Sequence, residues 1–143
     1  MRDTITIKIP GKPISKQRPR FYRRGKHVGT YNAQETEEGM WLAMCREQLP
    51  LKPLTGALSV VMLFSLSRPK SHYGTGRNSE KLKPSAPHYP SKRPDIDNFL
   101  KFAMDCLNEI AWVDDSQVVS IMSEKTYTAG QGFTTIHIRE IGG

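Results

Sequence analysis

Residues 94–117 constrain the fold of this chain more than any other stretch. From about residue 98 to residue 111, apolar side chains recur every three or four positions, which predicts an amphipathic helix with one buried face. The predicted apolar stripe consists of Phe99, Leu100, Ala103, Met104, Leu107, Ile110 and Ala111. Any fold for this chain must therefore pack this helix against an apolar surface.

The other predicted elements supply that surface. β-Branched or alternating apolar runs predict strands, and a second run of apolar residues at helical spacing predicts another helix. The predicted strands are 4–9 (with Ile5, Ile7 and Ile9 on one face), 57–66 (central), 118–127 and 133–139; residues 128–132 are a predicted hairpin turn, and the second helix runs from residue 32 or 33 to residue 48. This order predicts one α+β domain spanning residues 1–143, in which two main helices pack on a small mixed β-sheet and long basic loops connect the elements.

The positive charge of the chain is concentrated in two segments. The formal net charge is +7, but residues 10–28 carry +7 and residues 68–93 carry +6, which leaves −6 on everything else. One such segment alone is typical of a solvated face, whereas two, each rich in Pro, Gly or Ser, indicate loops that hold phosphates. Residues 67–93 are expected to form a flexible basic arm. The candidate DNA-binding residues are Lys12, Lys16, Arg18, Arg20, Arg23, Arg24, Lys26, Arg68, Lys70, Arg77, Lys81, Lys83, Lys92 and Arg93.

Several other classes of protein are disfavoured. No apolar run approaches the roughly 20 residues of a membrane span, and the first residues lack a signal-peptide pattern, so we expect a cytoplasmic protein with no membrane partner. Cys45 and Cys106 lack a second Cys or a His at metal-ligand spacing, which favours reduced thiols over a zinc site. There is also no Ser/His/Asp order and no glycine-rich phosphate loop.

Carboxylates flank the predicted helix on both sides. Asp95 and Asp97 precede it, and Asp114 and Asp115 follow it. Each pair alone is weak evidence, because Asp97 also suits a helix N-cap and Lys101 suits an ordinary ion pair with Asp97. Together, within a basic chain, they indicate a magnesium site, since Mg²⁺ prefers carboxylate oxygens and keeps waters that can attack a phosphodiester. The lysine could then stabilise negative charge in the transition state.

The sequence resembles the RusA family of Holliday-junction resolvases, which are endonucleases frequent in phages and prophages. The similarity lies in residues 93–101 (Arg-Pro-Asp-Ile-Asp-Asn-Phe-Leu-Lys), the spacing to Asp105, residues 112–118 (Trp-Val-Asp-Asp-Ser-Gln-Val) and the basic run at 16–21. The resemblance implies metal-binding catalytic aspartates at Asp95, Asp97 and Asp115, with Asp114 as a further candidate ligand, and a catalytic lysine at Lys101. It also implies Mg²⁺, with Mn²⁺ as a substitute, and a homodimer acting on four-way DNA in recombination and repair.

The predicted helix raises a geometric problem. A helix over residues 98–111 would be about 20 Å long, and four extended residues span at most about 14 Å, so Asp115 starts far from Asp95. Either the chain doubles back along the helix, or the helix is shorter, or Asp115 completes the site of a second subunit; we favour doubling back. A non-catalytic DNA-binding module and a flap or general phage nuclease are the alternative functions.

Overall fold

A computed structural model describes the backbone of residues 4–17, 20–31 and 34–142, and the side chains within these ranges except those of 20–22, 27–28 and 30–31. The predicted N-terminal boundary of the first helix, at residue 32 or 33, lies outside the described residues. The helices and strands are β1 (Ile5–Pro10), β2 (Arg20–Arg24), β3 (His27–Tyr31), α1 (Glu35–Arg46), β4 (Ala57–Ser67), α2 (Ile96–Leu107), β5 (Val118–Thr128) and β6 (Phe133–Gly142).

Four of the strands form one mixed sheet in the order β1-β6-β4-β5. β4 pairs antiparallel with β6 and parallel with β5, and β1 pairs antiparallel with β6. The predicted α+β class, with two main helices on a small mixed sheet, is confirmed. β1 follows its alternating pattern, since Ile7 and Ile9 are buried and Ile5 is half-buried.

The core lies between this sheet and the layer of the two helices. Phe64 of β4 stacks on Phe99 of α2 with ring centroids 5.0 Å apart, and Trp41 of α1 meets Phe102 of α2 edge-on at 5.6 Å. Burying apolar area of this kind is the main favourable term in folding. Both helices are thereby fixed to one face of the sheet.

The predicted hairpin at residues 128–132 is wrong. β5 and β6 run antiparallel, but β4 lies between them and pairs with both. The connection crosses the end of β4 so closely that a side chain at Gly132 would come within 2.9 Å of the Ser65 carbonyl oxygen. Turn residues predict a change of direction, but they do not reveal whether a third strand occupies the space between.

α2 begins earlier and ends earlier than its apolar pattern predicts. The first helical residue is Ile96, so the N-cap is Asp95 and not the predicted Asp97. The helix ends at Leu107, where Asn108 leaves helical geometry and Glu109 takes a left-handed conformation with φ of 70°. This left-handed residue turns the chain away from the helix axis.

Both basic segments, which were expected to be loops, make defined backbone or side-chain contacts. Residues 20–31 form a β2–β3 hairpin that the sequence analysis missed, with Gly25 at a φ of 59° in its two-residue turn. In the second segment, Arg68 Nη1 donates to the Pro87 carbonyl at 2.6 Å, and its guanidinium lies 4.5 Å from the centre of the Tyr127 ring. Arg68 therefore ties residues 67–93 to the end of β5, and the flexibility expected of this arm stays a prediction. No helix in the described part of the chain has the length and apolar character needed to cross a membrane.

Candidate functional site

The first two turns of α2 present two carboxylates and a lysine to solvent. Asp95, the N-cap residue, has extended backbone angles, and its side chain makes no capping hydrogen bond. Asp97 Oδ2 lies 3.7 Å from Lys101 Nζ, as the spacing of four predicts, and both side chains are more than 60% exposed (62% and 64%). These carboxylate oxygens are accessible to a cation or to a polar ligand.

A lysine on β5 holds the backbone that leads into this turn. Lys125 Nζ donates to the carbonyl of Lys92 at 2.8 Å and to that of Pro94 at 2.9 Å. Lys125 was not predicted as a site residue, because it follows Glu124 in β5 and no local spacing connects it to the carboxylates. Lys125 therefore joins the end of β5 to the residue that precedes Asp95.

The first basic segment packs directly on the start of α2. The Lys16 backbone N–H donates to the Asn98 carbonyl at 2.9 Å. Gln34, buried before α1, clamps the same segment: its Nε2 donates to the Ser15 carbonyl at 2.8 Å, and its Oε1 accepts from the Gln17 N–H at 2.7 Å. The packing leaves one groove lined by Lys12, Pro13, Ile14, Ser15, Gln17, Gln34, Glu37 and Pro94, and an adjoining depression lined by Arg93, Pro94, Asp95 and Asn98.

The Lys16 ammonium is itself paired inside the protein. Its Nζ lies 3.3 Å from Asp105 Oδ2 and 3.6 Å from Glu38 Oε1. Burial lowers the pKa of Lys16, but the hydrogen bonds and negative charges of Asp105 and Glu38 outweigh it and raise the pKa above its ordinary value. Lys16 thus bridges α1 and α2, and its role in DNA binding stays a prediction.

The second carboxylate pair lies on a single 3₁₀ turn before β5. The Asp115 N–H donates to Asn108 Oδ1 at 3.0 Å, and Asp115 Oδ1 accepts a 2.8 Å hydrogen bond from Nε1 of the buried Trp112. Asp114 instead caps this turn, with its Oδ2 accepting from the Ser116 N–H at 3.0 Å. Hydrogen bonds from the Ser116 side chain and backbone lower the pKa of Asp114. Asp115 is therefore oriented by an indole, whereas Asp114 is occupied as a cap.

The two carboxylate pairs lie at opposite ends of α2. Asp115 contacts Asn108, which follows the last turn, while Asp97 is in the first turn, about 16 Å away at 1.5 Å per residue. Two ligands of one Mg²⁺ lie within about 4 Å of each other, because each is about 2.1 Å from the ion. The favoured path, in which the chain doubles back along the helix, is wrong. Accordingly, no group of three or more acidic, His or Cys side chains in the described ranges is arranged to hold a metal ion.

The candidate DNA-binding residues divide into three groups. Arg68 is tied into the protein, as is Lys16. Arg18 lies outside the described residues, and Arg20 is described only in its backbone. The others are exposed: Lys12, Arg23, Arg24, Lys26, Lys70, Arg77, Lys81, Lys83, Lys92 and Arg93.

Comparison with known proteins gives two findings. Residues 10–139 match the protein family described as Endodeoxyribonuclease RusA. The uncharacterized protein YqaN of Bacillus subtilis (strain 168) is 30% identical over 141 residues, which cover 97% of this chain and 98% of that protein.

Proposed function

Because the chain belongs to the RusA family of endodeoxyribonucleases, we propose that it is a magnesium-dependent nuclease that cleaves four-way DNA junctions. Asp95, Asp97 and Lys101 carry this assignment, since they are exposed together at the start of α2 with a basic segment packed beside them. Acidic side chains at a phosphate-binding surface would repel the DNA backbone unless a cation lay between them.

The donor set fits a hard divalent cation. The Asp95 side chain makes no capping hydrogen bond, and the Asp97 carboxylate pairs with the exposed Lys101 in the part of the chain that the structure describes. Carboxylate oxygens are the ligands that Mg²⁺ and Mn²⁺ prefer. A cation held by Asp95, Asp97 and an Asp115 carboxylate would supply an activated water and stabilise negative charge on the scissile phosphate.

The remaining residues bind and orient the DNA strand. Lys101 lies one turn beyond Asp97, where its ammonium can stabilise negative charge on the phosphate or on the leaving oxygen. Lys92 and Arg93 are exposed immediately before the carboxylates and are suited to neighbouring phosphates. Lys125 keeps the backbone of this segment in place.

Asp115 takes part through a second copy of the chain. Within one protomer its backbone contacts Asn108, about 16 Å along the helix from Asp97, but a two-fold homodimer can bring Asp115 of one subunit to Asp97 of the other. Such a dimer has two equivalent sites, which suits paired cuts in opposing strands of a four-way junction. We expect the enzyme to act in the cytoplasm, in DNA recombination and repair.

The direct test compares the wild type with Asp97→Asn on a four-way junction, a flap and a linear duplex, with magnesium titrated from zero. The wild type should cut the junction in preference to the other two and only with the divalent cation present. Asp97→Asn should bind the junction as the wild type does but lose cleavage by at least about 100-fold.

Other outcomes separate the alternatives. Preference for the flap would indicate a different nuclease specificity on the same site. Junction binding without cleavage by the wild type at every magnesium concentration would indicate a non-catalytic DNA-binding module. Loss of binding and cleavage together in Asp97→Asn would make Asp97 a structural residue.

A further inference from the structure

The outer edge of β5 is a long, unprotected strand edge with apolar side chains. β5 is the last strand of the sheet, and it pairs only with β4 within the described part of the chain. Three large apolar residues are exposed within four positions: Val119 (63%), Ile121 (42%) and Met122 (59%). Such an edge invites pairing with another strand, because its N–H and C=O groups lack partners.

The opposite edge of the sheet is protected. At β1, the side-chain amide of Gln48 accepts from the Lys8 N–H and donates to the Lys8 carbonyl, each at 2.9 Å, so it occupies the backbone groups that a further strand would need. β1 also ends at a proline, which has no N–H to donate. Of the two edges of this four-stranded sheet, β5 is therefore the one left open to a partner by the residues that the structure describes.

We propose that β5 pairs antiparallel with β5 of a second copy, so that the two sheets form one continuous sheet of eight strands. This inference rests on the proposed homodimeric nuclease and identifies the surface through which it assembles. Antiparallel pairing of one strand with itself is a closed two-fold contact, which limits assembly to a dimer.

The symmetry restricts the register of the pairing. Directly opposed residues of an antiparallel pair point to the same face, so the two-fold axis must pass through a residue that meets its own copy. β5 is regular from Ser120 onwards, and its exposed apolar centre places the axis at Ile121 or at Met122. An apolar contact between identical side chains then forms the middle of the interface.

Either register brings the two halves of the split site to the same end of the interface. With either axis, the N-terminal end of β5, which follows the turn that carries Asp115, lies beside the C-terminal half of the partner strand. In each subunit that half carries Lys125, whose ammonium contacts the carbonyl of Pro94 next to Asp95. In such a dimer, Asp115 of one subunit, which lies at the C-terminal end of its own α2, is brought towards the N-terminal end of α2 in the other subunit, where the first carboxylate pair lies.

Single cysteines test the register in the full-length protein. Opposed residues in an antiparallel pair have Cα atoms about 4.5 or 5.5 Å apart, within the range that a disulfide spans. Burial raises the pKa of both native thiols, Cys45 and Cys106, to about 12, so they remain protonated and unreactive near pH 8. Under mild oxidation, Ile121→Cys or Met122→Cys should give a covalent dimer, and Met40→Cys on the exposed face of α1 should not.

Lysine substitutions test the assembly itself. Ile121→Lys combined with Met122→Lys should sediment as a monomer and lose junction cleavage at least tenfold, with the melting temperature close to that of the wild type. Met40→Lys, a substitution of an equally exposed methionine, should remain dimeric and active.

The outcomes separate this inference from the proposed function. A wild type that is dimeric and cleaves junctions, while neither cysteine variant cross-links and the double lysine variant stays dimeric, would place the interface elsewhere and leave the function intact. Efficient cross-linking at residue 121 or 122 in a protein that never cleaves DNA would confirm the interface and overturn the function.

Discussion

The side chain of Trp112 has one polar atom, Nε1, and this atom is hydrogen-bonded to a candidate catalytic carboxylate. Its ring is fully buried, and its Nε1–H donates to Asp115 Oδ1 at 2.8 Å. A hydrogen bond to a charged acceptor contributes about 1.5–3 kcal/mol and also fixes the direction in which the other oxygen points. Trp112 is therefore a positioning residue for Asp115.

Trp112→Phe should raise the magnesium concentration needed for half-maximal cleavage by about tenfold or more, because it removes this donor and keeps an aromatic ring in the core. Magnesium titrations of junction cleavage measure the effect. The matched control is Trp41→Phe, since Trp41 is also buried but contacts Phe102. It should lose stability with an unchanged magnesium midpoint, and equal midpoints in the two variants would contradict the role of Trp112.

Lys125→Met should lower kcat for junction cleavage by about tenfold, because the backbone before Asp95 loses two hydrogen bonds from an ammonium. KM should change little, since this side chain is directed at carbonyl groups of the protein. Lys8→Met removes an equal charge from exposed β1 and should leave both constants unchanged. Partial recovery of kcat in Lys125→Arg would support positioning; an effect on KM alone would indicate a DNA contact.

Among the larger elements, the first basic segment depends on α1 for its position. Gln34, at the N-cap of α1, is 1% exposed and bonds to the backbone on both sides of Lys16. Lys16 in turn bonds to the backbone of α2 through Asn98. The segment is therefore fixed relative to the carboxylates by two elements at once.

Gln34→Ala should destabilise the protein by about 1–3 kcal/mol, because partly buried backbone groups at Ser15 and Gln17 lose their hydrogen-bond partner. Junction binding should weaken as the basic segment loosens. Thermal melts and binding titrations report the two effects. Gln48→Ala removes comparable side-chain bonds at an exposed strand edge and should cost less stability without weakening binding. Unchanged junction affinity in Gln34→Ala would show that the segment does not need this anchor.

Local periodicity was enough to predict most elements of the fold. The stripes of α1 and α2 and the strands β1, β4 and β6 follow from side-chain spacing, since each buries one face or both, whereas β5 follows from its β-branched and apolar residues although none of them is fully buried. The β2–β3 hairpin was not predicted because three of the five residues of its first strand are arginines, which leave no alternating apolar pattern. The order of the strands and the path to Asp115 depend on contacts far apart in the sequence, such as the bridge between Leu54 and Trp112. These contacts leave no local pattern.

In the molecule as a whole, cationic surface and carboxylates lie side by side. The two basic segments outweigh the acidic remainder to give the net charge of +7, and the fold places the backbone of Lys16 and the exposed Lys92 and Arg93 beside the start of α2. Phosphate contacts made by such residues release counterions, so junction affinity depends steeply on salt. The carboxylates of Asp95 and Asp97, at the same end of α2, are suited to bind a cation.

Junction affinity should fall by about 10³-fold or more between 50 and 200 mM salt if six or more phosphates are contacted. Replacing Lys92 and Arg93 together by alanine should reduce the slope of log K against log salt by about 2, as measured by fluorescence anisotropy. Lys52→Ala, at an exposed position outside both basic segments, should leave the slope unchanged. An unchanged slope in the double variant would remove these two residues from the DNA interface.

Subunit mixing tests most directly the claim that each site takes Asp95 and Asp97 from one protomer and Asp115 from the other. Asp97→Asn and Asp115→Asn should each be inactive alone. Co-expressed in equal amounts, they should regain about a quarter of the wild-type sites, because half of the dimers are mixed and each mixed dimer has one intact site. A mixture of confirmed mixed dimers that cuts the junction no better than either parent would contradict the account.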